Sequence, residues 1–293
     1  MLNLKEFNKS FATEEQCREH LEAKRWPNGP VCPRCASPVV ARVKGRWAWQ
    51  CRKCSPNGYR FSPLVGTIFE NTNYPLMTWF QVIFLMCSSK KGISALQVQR
   101  MIGSGAYRTA WYMCHRIRSA MDSGSFRKLT GTVEVDETFV GGKAKNRHVS
   151  KRGGPGRGGM GSGKTPVVGA ISRKGNVVAR VVESVDAKTL SGFVAETVSD
   201  KVKLVATDEW TGYRQLSDMG YTHETVQHTA NEYVRGQVHT SNIDSFWSLL
   251  NRGIMGIFHQ VSKTYLPFYL AEFTFRHNDR RNANMFDLVL AQC

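Results

Sequence analysis

A chain of 293 residues can form one large domain with a smaller module beside it, and it can bury a sizeable core. Hydrophobic residues make up 41% of the sequence, but none of it is an apolar, uncharged run of about eighteen residues. The first residues also lack the apolar segment of a secretory signal. We therefore expect a cytoplasmic protein without a membrane span.

The charge of the chain favours a polyanionic partner, because the formal net charge is +17 and the pI is near 9.7. Residues 1–130 hold 20 Lys and Arg against 7 Asp and Glu, whereas residues 131–293 hold 20 against 16. The first part is therefore expected to provide most of the contact with nucleic acid. A solvated basic surface without a partner is the alternative interpretation.

The first predicted unit, residues 1–70, is a zinc ribbon with an N-terminal helix over 14–25. Two C-x-x-C pairs, Cys32 with Cys35 and Cys51 with Cys54, are separated by 15 residues, which is typical of four-cysteine zinc sites. Alternating apolar residues around Gly45 predict a β-hairpin between the pairs. Four thiolates complete a tetrahedral site, so the expected zinc is structural. Four buried free cysteines are the alternative.

The second predicted unit, residues 71–130, contains three segments with helical periodicity. They are PLMTWFQVIFLMCSS, ISALQVQRMIG and YRTAWYMCHRIRSAM, with breaks at Lys90-Lys91-Gly92 and Gly103-Ser104-Gly105. Short helices with tight turns and a basic last helix are typical of a helix-turn-helix DNA-binding unit, although any small helical bundle gives the same pattern. We expect Lys90, Lys91, Arg116 and Arg118 to contact DNA, together with Arg252 farther along the chain.

The third predicted unit, residues 131–293, alternates strands with helices and is expected to form an α/β sheet domain. Its residues 141–165 hold 9 glycines, 7 Lys or Arg and no acid, which favours a flexible loop that contacts DNA. Residues 158–165 also match the P-loop pattern. A phosphate-binding P-loop lies between a strand and a helix, whereas here a basic tract precedes the pattern and a strand follows it, so ATP binding is not expected.

Three acids of this third unit are candidate catalytic residues. Asp136 lies in an apolar strand, Asp208 ends another, and Asp244 follows after 35 further residues, on the first turn of a predicted helix. A carboxylate at the end of a buried strand is costly to desolvate unless a cation meets it, and a divalent ion is the usual partner. A carboxylate cluster that binds two such ions is suited to phosphodiester chemistry. Glu137 and Glu209 are expected to face the opposite side of their strands.

These residues together resemble the insertion-sequence transposases of the IS fifteen-ninety-five (ISXO-like) family. The similarity runs over nearly the whole chain. The segments that carry it are RWPNGPVCPRC, FSPLVGTIFENTNYPLMTWFQVIFLM, KKGISALQVQR, TAWYMCHRIRSAM, VEVDETFVGGK, ATDEWTGY and VHTSNIDSFWSLLNRGIMGIFHQVSKTYLPFYLAEFTFRHNDR.

The resemblance implies an RNase H-like catalytic domain of the DDE type and a homo-oligomer that acts on double-stranded DNA. It implies binding of terminal inverted repeats, cleavage at the element ends and transfer of the 3′-hydroxyl strand into target DNA. It implies one structural Zn²⁺, and two Mg²⁺ or Mn²⁺ ions held by Asp136, Asp208 and Asp244.

The chain departs from the family pattern at two positions. Asp244 stands where relatives usually have Glu, and Asn251 stands where they usually have Lys. Some relatives use an Asn just before this helix, so Asn242 is a competing third ligand. Alternative interpretations are a decayed inactive copy, a non-catalytic zinc-ribbon regulator that binds DNA, and an RNase H-like nuclease without strand transfer.

Overall fold

The computed structural model describes residues 2–54, 56–122, 127–142, 163–226 and 238–293. The chain divides into two compact units. Unit 1 comprises Met1–Ser123 together with Arg280–Cys293, and unit 2 comprises Gly124–Asp279. Most of the glycine-rich segment for which DNA contact is predicted, residues 143–162, lies outside the described residues. None of the described helices is both long and apolar enough to cross a membrane.

Helices and strands are numbered here in chain order. The helices are α1 (Leu4–Ser10), α2 (Glu14–Arg25), α3 (Leu76–Ser88), α4 (Ala95–Ile102), α5 (Tyr107–Met121), α6 (Ala187–Thr197), α7 (Ser241–Gly253), α8 (Leu266–Asn278) and α9 (Met285–Gln292). The strands are β1 (Val40–Arg42), β2 (Trp49–Cys51), β3 (Tyr59–Phe61), β4 (Thr132–Val140), β5 (Thr165–Ser172), β6 (Val177–Val181), β7 (Leu204–Asp208) and β8 (His223–Val226).

Unit 1 begins with two capped helices and a small sheet. Capping boxes fix the starts of α1 and α2, with Asn3 and Thr13 as the capping residues. Strands β1, β2 and β3 then form an antiparallel sheet in that order. The turn between β1 and β2 contains Gly45 at a φ of 70°, a conformation that costs glycine little. The predicted hairpin between the cysteine pairs is thereby confirmed.

The rest of unit 1 is helical, as predicted. Helix α4 ends at Gly103, which has the left-handed conformation common after a helix. An aromatic cluster fills the core: Phe7 stacks on Phe84 at 4.7 Å between ring centroids, and Phe11 meets Phe80 at 5.1 Å and Phe286 at 5.4 Å. Phe286 belongs to α9, which packs against α2, α3 and α5.

The last helix therefore belongs with unit 1, whereas the sequence suggested one continuous unit from 131 to 293. The physical reason lies in the apolar side of α9. Phe286, Val289 and Leu290 are buried, and they complete a core built by the first 123 residues. The sequence does not reveal a boundary at Asp279, because α8 and α9 are both rich in apolar residues.

Unit 2 is a mixed α/β domain around a five-stranded sheet with the order β6-β5-β4-β7-β8. Strand β4 pairs antiparallel with β5 and parallel with β7. One face of the sheet packs against α6 and the 3₁₀ helix Thr211–Leu216, and the other packs against α7 and α8. Alternation along β4 directs Val133 and Val135 to the α6 side, so Glu134 and Asp136 face α7.

Candidate functional site

The four cysteines of the ribbon form one compact cluster. Their sulfur atoms all lie within 4.8 Å of one another, with 3.7 Å between Cys32 and Cys54 and 3.6 Å between Cys35 and Cys51. Burial raises the pKa of the Cys32 thiol, but hydrogen bonds from backbone N–H groups and from neighbouring cysteines lower it to about 7, whereas burial and the neighbouring cysteines raise the pKa of Cys54 to about 12. A bound zinc ion favours the thiolate form of all its cysteine ligands. Four sulfur donors at this spacing fit a tetrahedral zinc ion with no position left for water.

The three predicted catalytic acids lie on the central strand β4, on its parallel neighbour β7 and on α7. The parallel register of β4 and β7 pairs Glu134 with Ala206, so Asp136 and Asp208 each lie two residues beyond the same pair. Asp244 lies on the first turn of α7. Asp136 and Asp208 are partly buried and Asp244 is exposed. The cluster therefore has a solvent-accessible side.

The charges of the neighbouring acids act on Asp136. Burial, which is the largest cause, and the negative charges of Glu137, Asp208 and Asp244 together raise the pKa of Asp136 to about 8. Among the residues that the structure describes, however, the four cysteines are the only group of three or more ligating side chains close enough to hold a metal ion. The carboxylates are thus close enough to repel one another, but they are more widely spaced than the sulfur atoms.

Each of the three acids receives a hydrogen bond that fixes its orientation. Trp247 Nε1 donates to Asp136 Oδ2 at 2.9 Å. The Trp210 N–H donates to Asp208 Oδ1 at 3.0 Å. Thr240 Oγ1 donates to Asp244 Oδ2 at 3.2 Å. Each of these bonds uses only part of the capacity of its carboxylate, since a carboxylate accepts about four hydrogen bonds.

Glu137 lies on the other face of β4, as strand alternation predicts. The hydroxyl of buried Tyr213 donates to Glu137 Oε2 at 2.6 Å. Burial, which is the largest cause, and the charge of Asp208 raise the pKa of Glu137 to about 7, although the hydrogen bond from Tyr213 lowers it. Glu137 therefore adds negative potential beside the three acids.

Sequence reasoning missed Glu134, which is fully buried on the same face of β4 as Asp136. The backbone N–H groups of Asn242 and Ile243 donate to its Oε2, and Asn242 Nδ2 donates to its Oε1 at 2.7 Å. The side chain of Asn242, the competing third metal ligand, is thus engaged with Glu134. The signal in the sequence was the spacing Glu-Val-Asp, which places two acids on one strand face.

The surface basic residues predicted to contact DNA differ in accessibility. Lys90 and Lys91 are exposed in the turn between α3 and α4, and Arg252 is exposed near the end of α7. Arg116 is only partly exposed, because its Nη2 donates to the Glu70 carbonyl at 3.1 Å.

The prediction that Arg118 contacts DNA does not fit the structure. Its side chain is 1% exposed and lies among the buried residues of α5. A guanidinium in that position can reach a phosphate only if the helical cluster opens, and helical periodicity places it on the core side of α5.

A basic groove in the ribbon was not singled out from the sequence. Residues 26–62 contain seven Lys or Arg and no Asp or Glu. The turn between β1 and β2 forms a groove with α2, and its lining includes Arg18, Arg42, Lys44, Arg46 and Trp47, with Glu15 at its edge. Arg18 lies 5.1 Å from the centre of the Trp47 ring. Lys44 and Arg46 are exposed at the tip.

Comparisons with known proteins match both units. Residues 12–57 match the transposase zinc-ribbon domain, and residues 128–278 match the ISXO2-like transposase domain. The chain is also 28% identical over 281 residues to an uncharacterized protein in transposable element ISH50 of Halobacterium salinarum, with 92% of each chain covered. The second domain model spans more than half of the chain and contains Asp136, Asp208 and Asp244. The chain therefore belongs to the ISXO2-like transposase family.

Proposed function

We propose that this protein is a DNA transposase that binds the terminal inverted repeats of its insertion sequence, cleaves at the element ends and transfers the 3′-hydroxyl strand into target DNA. The observation that carries the proposal is the arrangement of three acids in a domain that matches a transposase family. Asp136 and Asp208 each lie two residues beyond the same register pair of β4 and β7, and Asp244 lies on the first turn of α7, which packs against β4. Acids that are far apart in sequence but close in space are typical of functional sites, because their mutual repulsion does not stabilise the fold.

The sheet of unit 2 supports an RNase H-like fold. Three antiparallel strands lead from β6 to β4, two parallel pairings follow to β8, and helices cover both faces. This order puts Asp136 on the central strand and Asp208 on its parallel neighbour. The two acids then lie at one level of the sheet, where α7 can add a third.

The donor set of the acid cluster fits Mg²⁺ or Mn²⁺. Carboxylate oxygens are the ligands that these ions prefer, and the burial and mutual repulsion that raise the pKa of Asp136 would be relieved by a divalent cation. Asp136, Asp208 and Asp244 would hold the ions. When bound, two such ions supply positive charge to the entering and leaving oxygens of the phosphodiester.

The protein's own groups orient these ligands. Trp247, the Trp210 amide and Thr240 each fix one carboxylate through the hydrogen bonds given above. Asp244 reaches about one methylene less far than a glutamate, and the exposed Asn251 supplies no positive charge beside the substrate. We expect slower cleavage from this chain than from a relative with Glu and Lys at these two positions.

The ribbon and the helices of unit 1 are proposed to hold the DNA. The structural zinc would keep the hairpin in place, and the basic groove at Lys44 and Arg46 would meet backbone phosphates. Lys90 and Lys91 precede α4 and would contact DNA together with a helix-turn-helix formed by α4 and α5. Because an element has two ends, we propose that the protein acts as a homo-oligomer in which one acid cluster serves each end.

The decisive experiment uses the purified chain, Mg²⁺ or Mn²⁺ and labelled duplexes that carry the ends of its own element. The wild type is expected to cleave at the ends, whereas Asp136→Asn and Asp208→Asn bind the same duplex without cutting, since they remove ligand charge and no phosphate contact. Wild-type cleavage by Asp136→Asn would contradict the proposal.

The third ligand needs a separate comparison of two variants. Asp244→Asn is expected to abolish cleavage, and Asn242→Ala to reduce it less. The reverse order would assign the third ligand to Asn242, and Asp244 would then be an ordinary first-turn acid favoured by the helix dipole.

A further inference from the structure

Glu134 connects three segments that are distant in sequence. It lies in the middle of unit 2, on β4, with 0% of its surface exposed. Arg173, just after β5, donates from Nε to Glu134 Oε1 at 2.9 Å, and His239 Nδ1 lies 3.2 Å from the same oxygen. Arg173 also donates to the His239 carbonyl at 3.2 Å. A buried carboxylate with this many partners is held in one orientation.

The carboxylate of Glu134 also closes the N-terminus of α7. The residue before this helix, Thr240, makes no side-chain capping bond to the first turn, and its hydroxyl donates to Asp244 instead. The first-turn N–H groups of Asn242 and Ile243 donate to Glu134 Oε2 at 2.8 and 3.2 Å. A side chain from β4 thus takes the place of the local cap, and its negative charge meets the positive end of the helix.

A second contact fixes α7 one turn farther on. Trp247 donates to Asp136, and its ring lies against Gly169, the residue paired with Asp136 on β5. A Cβ at Gly169 would lie 2.6 Å from that ring, so only glycine leaves room for it. Glu134 and Trp247 therefore hold α7 on either side of Asp244, and Asp136 takes part in one of these contacts.

We propose that Glu134 is a positioning residue for the acid cluster: by capping α7 from β4 it sets the place of Asp244 relative to Asp136 and Asp208. It touches neither substrate nor reacting atoms, and it acts through the first turn of the helix. The hydrogen-bonded ion pair with Arg173 holds the Glu134 side chain in place. This inference rests on the proposed function, because it concerns the ligands of the divalent ions that cleavage requires.

The test compares Glu134→Gln with Glu272→Gln in the full chain. Glu272 is a matched control in the same unit, since it is also fully buried and pairs with an arginine, Arg276, at 2.7 Å. Both variants lose a buried negative charge beside a guanidinium, but Glu272 lies on α8. Thermal unfolding monitors the general loss of stability that both are expected to share.

Three further measurements separate positioning from stability. Hydrogen exchange of the peptide that contains Asn242 and Ile243 is expected to accelerate about tenfold in Glu134→Gln alone, because each loses a bond to a charged acceptor. Titration with Tb³⁺, excited through tryptophan, is expected to give a dissociation constant about tenfold higher in Glu134→Gln. Cleavage of the element ends is expected to slow about 10- to 100-fold, with unchanged DNA affinity.

The Asp136→Asn variant distinguishes failure of the positioning role of Glu134 from failure of the proposed acid site. If the wild type binds Tb³⁺ through Asp136 and cleaves, but Glu134→Gln matches Glu272→Gln in exchange, Tb³⁺ affinity and rate, the positioning role alone is overturned. If Asp136→Asn binds Tb³⁺ and cleaves like the wild type, the proposed acid site is wrong, and the role of Glu134 falls with it. Selective effects of Glu134→Gln on all three measurements support positioning.

Discussion

The chain gathers candidate metal ligands in two regions and assembles them differently. The four cysteines span 23 residues and meet through one short hairpin, so the local chain alone brings the sulfur atoms within 4.8 Å. The three acids span 109 residues and depend on a five-stranded sheet, on α7 and on partners such as Trp247. The first site is a closed set of soft sulfur donors. The second is a set of hard oxygen donors that is open to solvent on one side.

The two sites also differ in how closely their ligands are tied to the hydrophobic core. In the ribbon the ligands are also part of the core, because Cys32 and Cys51 pack with Phe61. In unit 2 a complete apolar core exists on both faces of the sheet without the acids. Loss of zinc should therefore unfold the ribbon, whereas loss of the proposed divalent ions should leave unit 2 folded.

The largest expected effect comes from zinc removal. Structural zinc contributes about 10–16 kcal/mol of binding free energy in small zinc-finger peptides, so a zinc-selective chelator should unfold the ribbon. Omission of Mg²⁺ should leave the circular dichroism spectrum unchanged. Elemental analysis should find one zinc per chain in protein purified without chelator. Absence of zinc, or a ribbon that resists proteolysis after chelation, would contradict this distinction.

A smaller effect is expected from Gly169→Ala, which tests the long-range assembly of the acid site. The new methyl group would meet the Trp247 ring and displace α7, so unfolding free energy should fall by about 1–3 kcal/mol and cleavage should slow. Gly192→Ala on α6 is the control, because no heavy atom lies within 4 Å of its Cβ position. It should be neutral or stabilise by up to about 1 kcal/mol. Equal urea midpoints for the two variants would show that α7 adapts freely.

The two regions also differ in how far the sequence could predict them. The cysteine pairs were predictable because their spacing in sequence nearly determines their spacing in space. Asp136, Asp208 and Asp244 could be chosen because strand ends and a helix start are visible in the pattern of apolar residues. Their supporting contacts could not, since the partners of Glu134 lie 39 to 109 residues away and no local pattern records a cap supplied from another segment.

The sequence also did not predict which of the basic residues are buried. Arg118 looked like one member of a basic helix face, yet α5 places it on the core side. The packing of α9 with the helices of the first 123 residues is a tertiary contact, and the amino-acid composition of α9 does not predict it. Both cases show that helical periodicity can identify the apolar face of a helix but does not predict which element packs against that face.

The ribbon groove offers a test of whether unit 1 binds DNA through this surface as well as through its helices. The double variant Lys44→Ala with Arg46→Ala should lower the slope of log affinity against log salt concentration by about 1.8, since each phosphate contact contributes about 0.9. Lys5→Ala with Lys9→Ala, on exposed positions of α1, is the charge-matched control and should leave the slope unchanged. Equal slopes for the two double variants, measured on element-end duplexes, would remove the groove from the DNA surface.

The smallest expected effect concerns Asp287, a partly exposed carboxylate that links α9 to α2, in contrast to the fully buried Glu134. Asp287 on α9 lies 2.8 Å from Lys24 Nζ and 2.8 Å from His20 Nε2 on α2. Partial burial raises the pKa of Asp287, but the bonds and charges of Lys24 and His20 outweigh it and hold that pKa below its usual value. A lowered carboxyl pKa stabilises the folded state above the unfolded-state value, and that contribution is lost as the pH falls through the folded-state value.

Asp287→Asn should therefore lower unfolding free energy at pH 7 by less than about 1 kcal/mol, the usual size for a partly exposed ion pair. The difference from wild type, measured by urea unfolding, should shrink as the pH falls below the ordinary carboxyl range, because the wild-type group is then neutral as well. Glu19→Gln, at an exposed position of α2, removes the same charge and should show no such pH-dependent difference. A difference for Asp287→Asn that stayed constant down to pH 2 would mean that α9 is held by its apolar face alone, with Phe286, Val289 and Leu290 supplying the attachment.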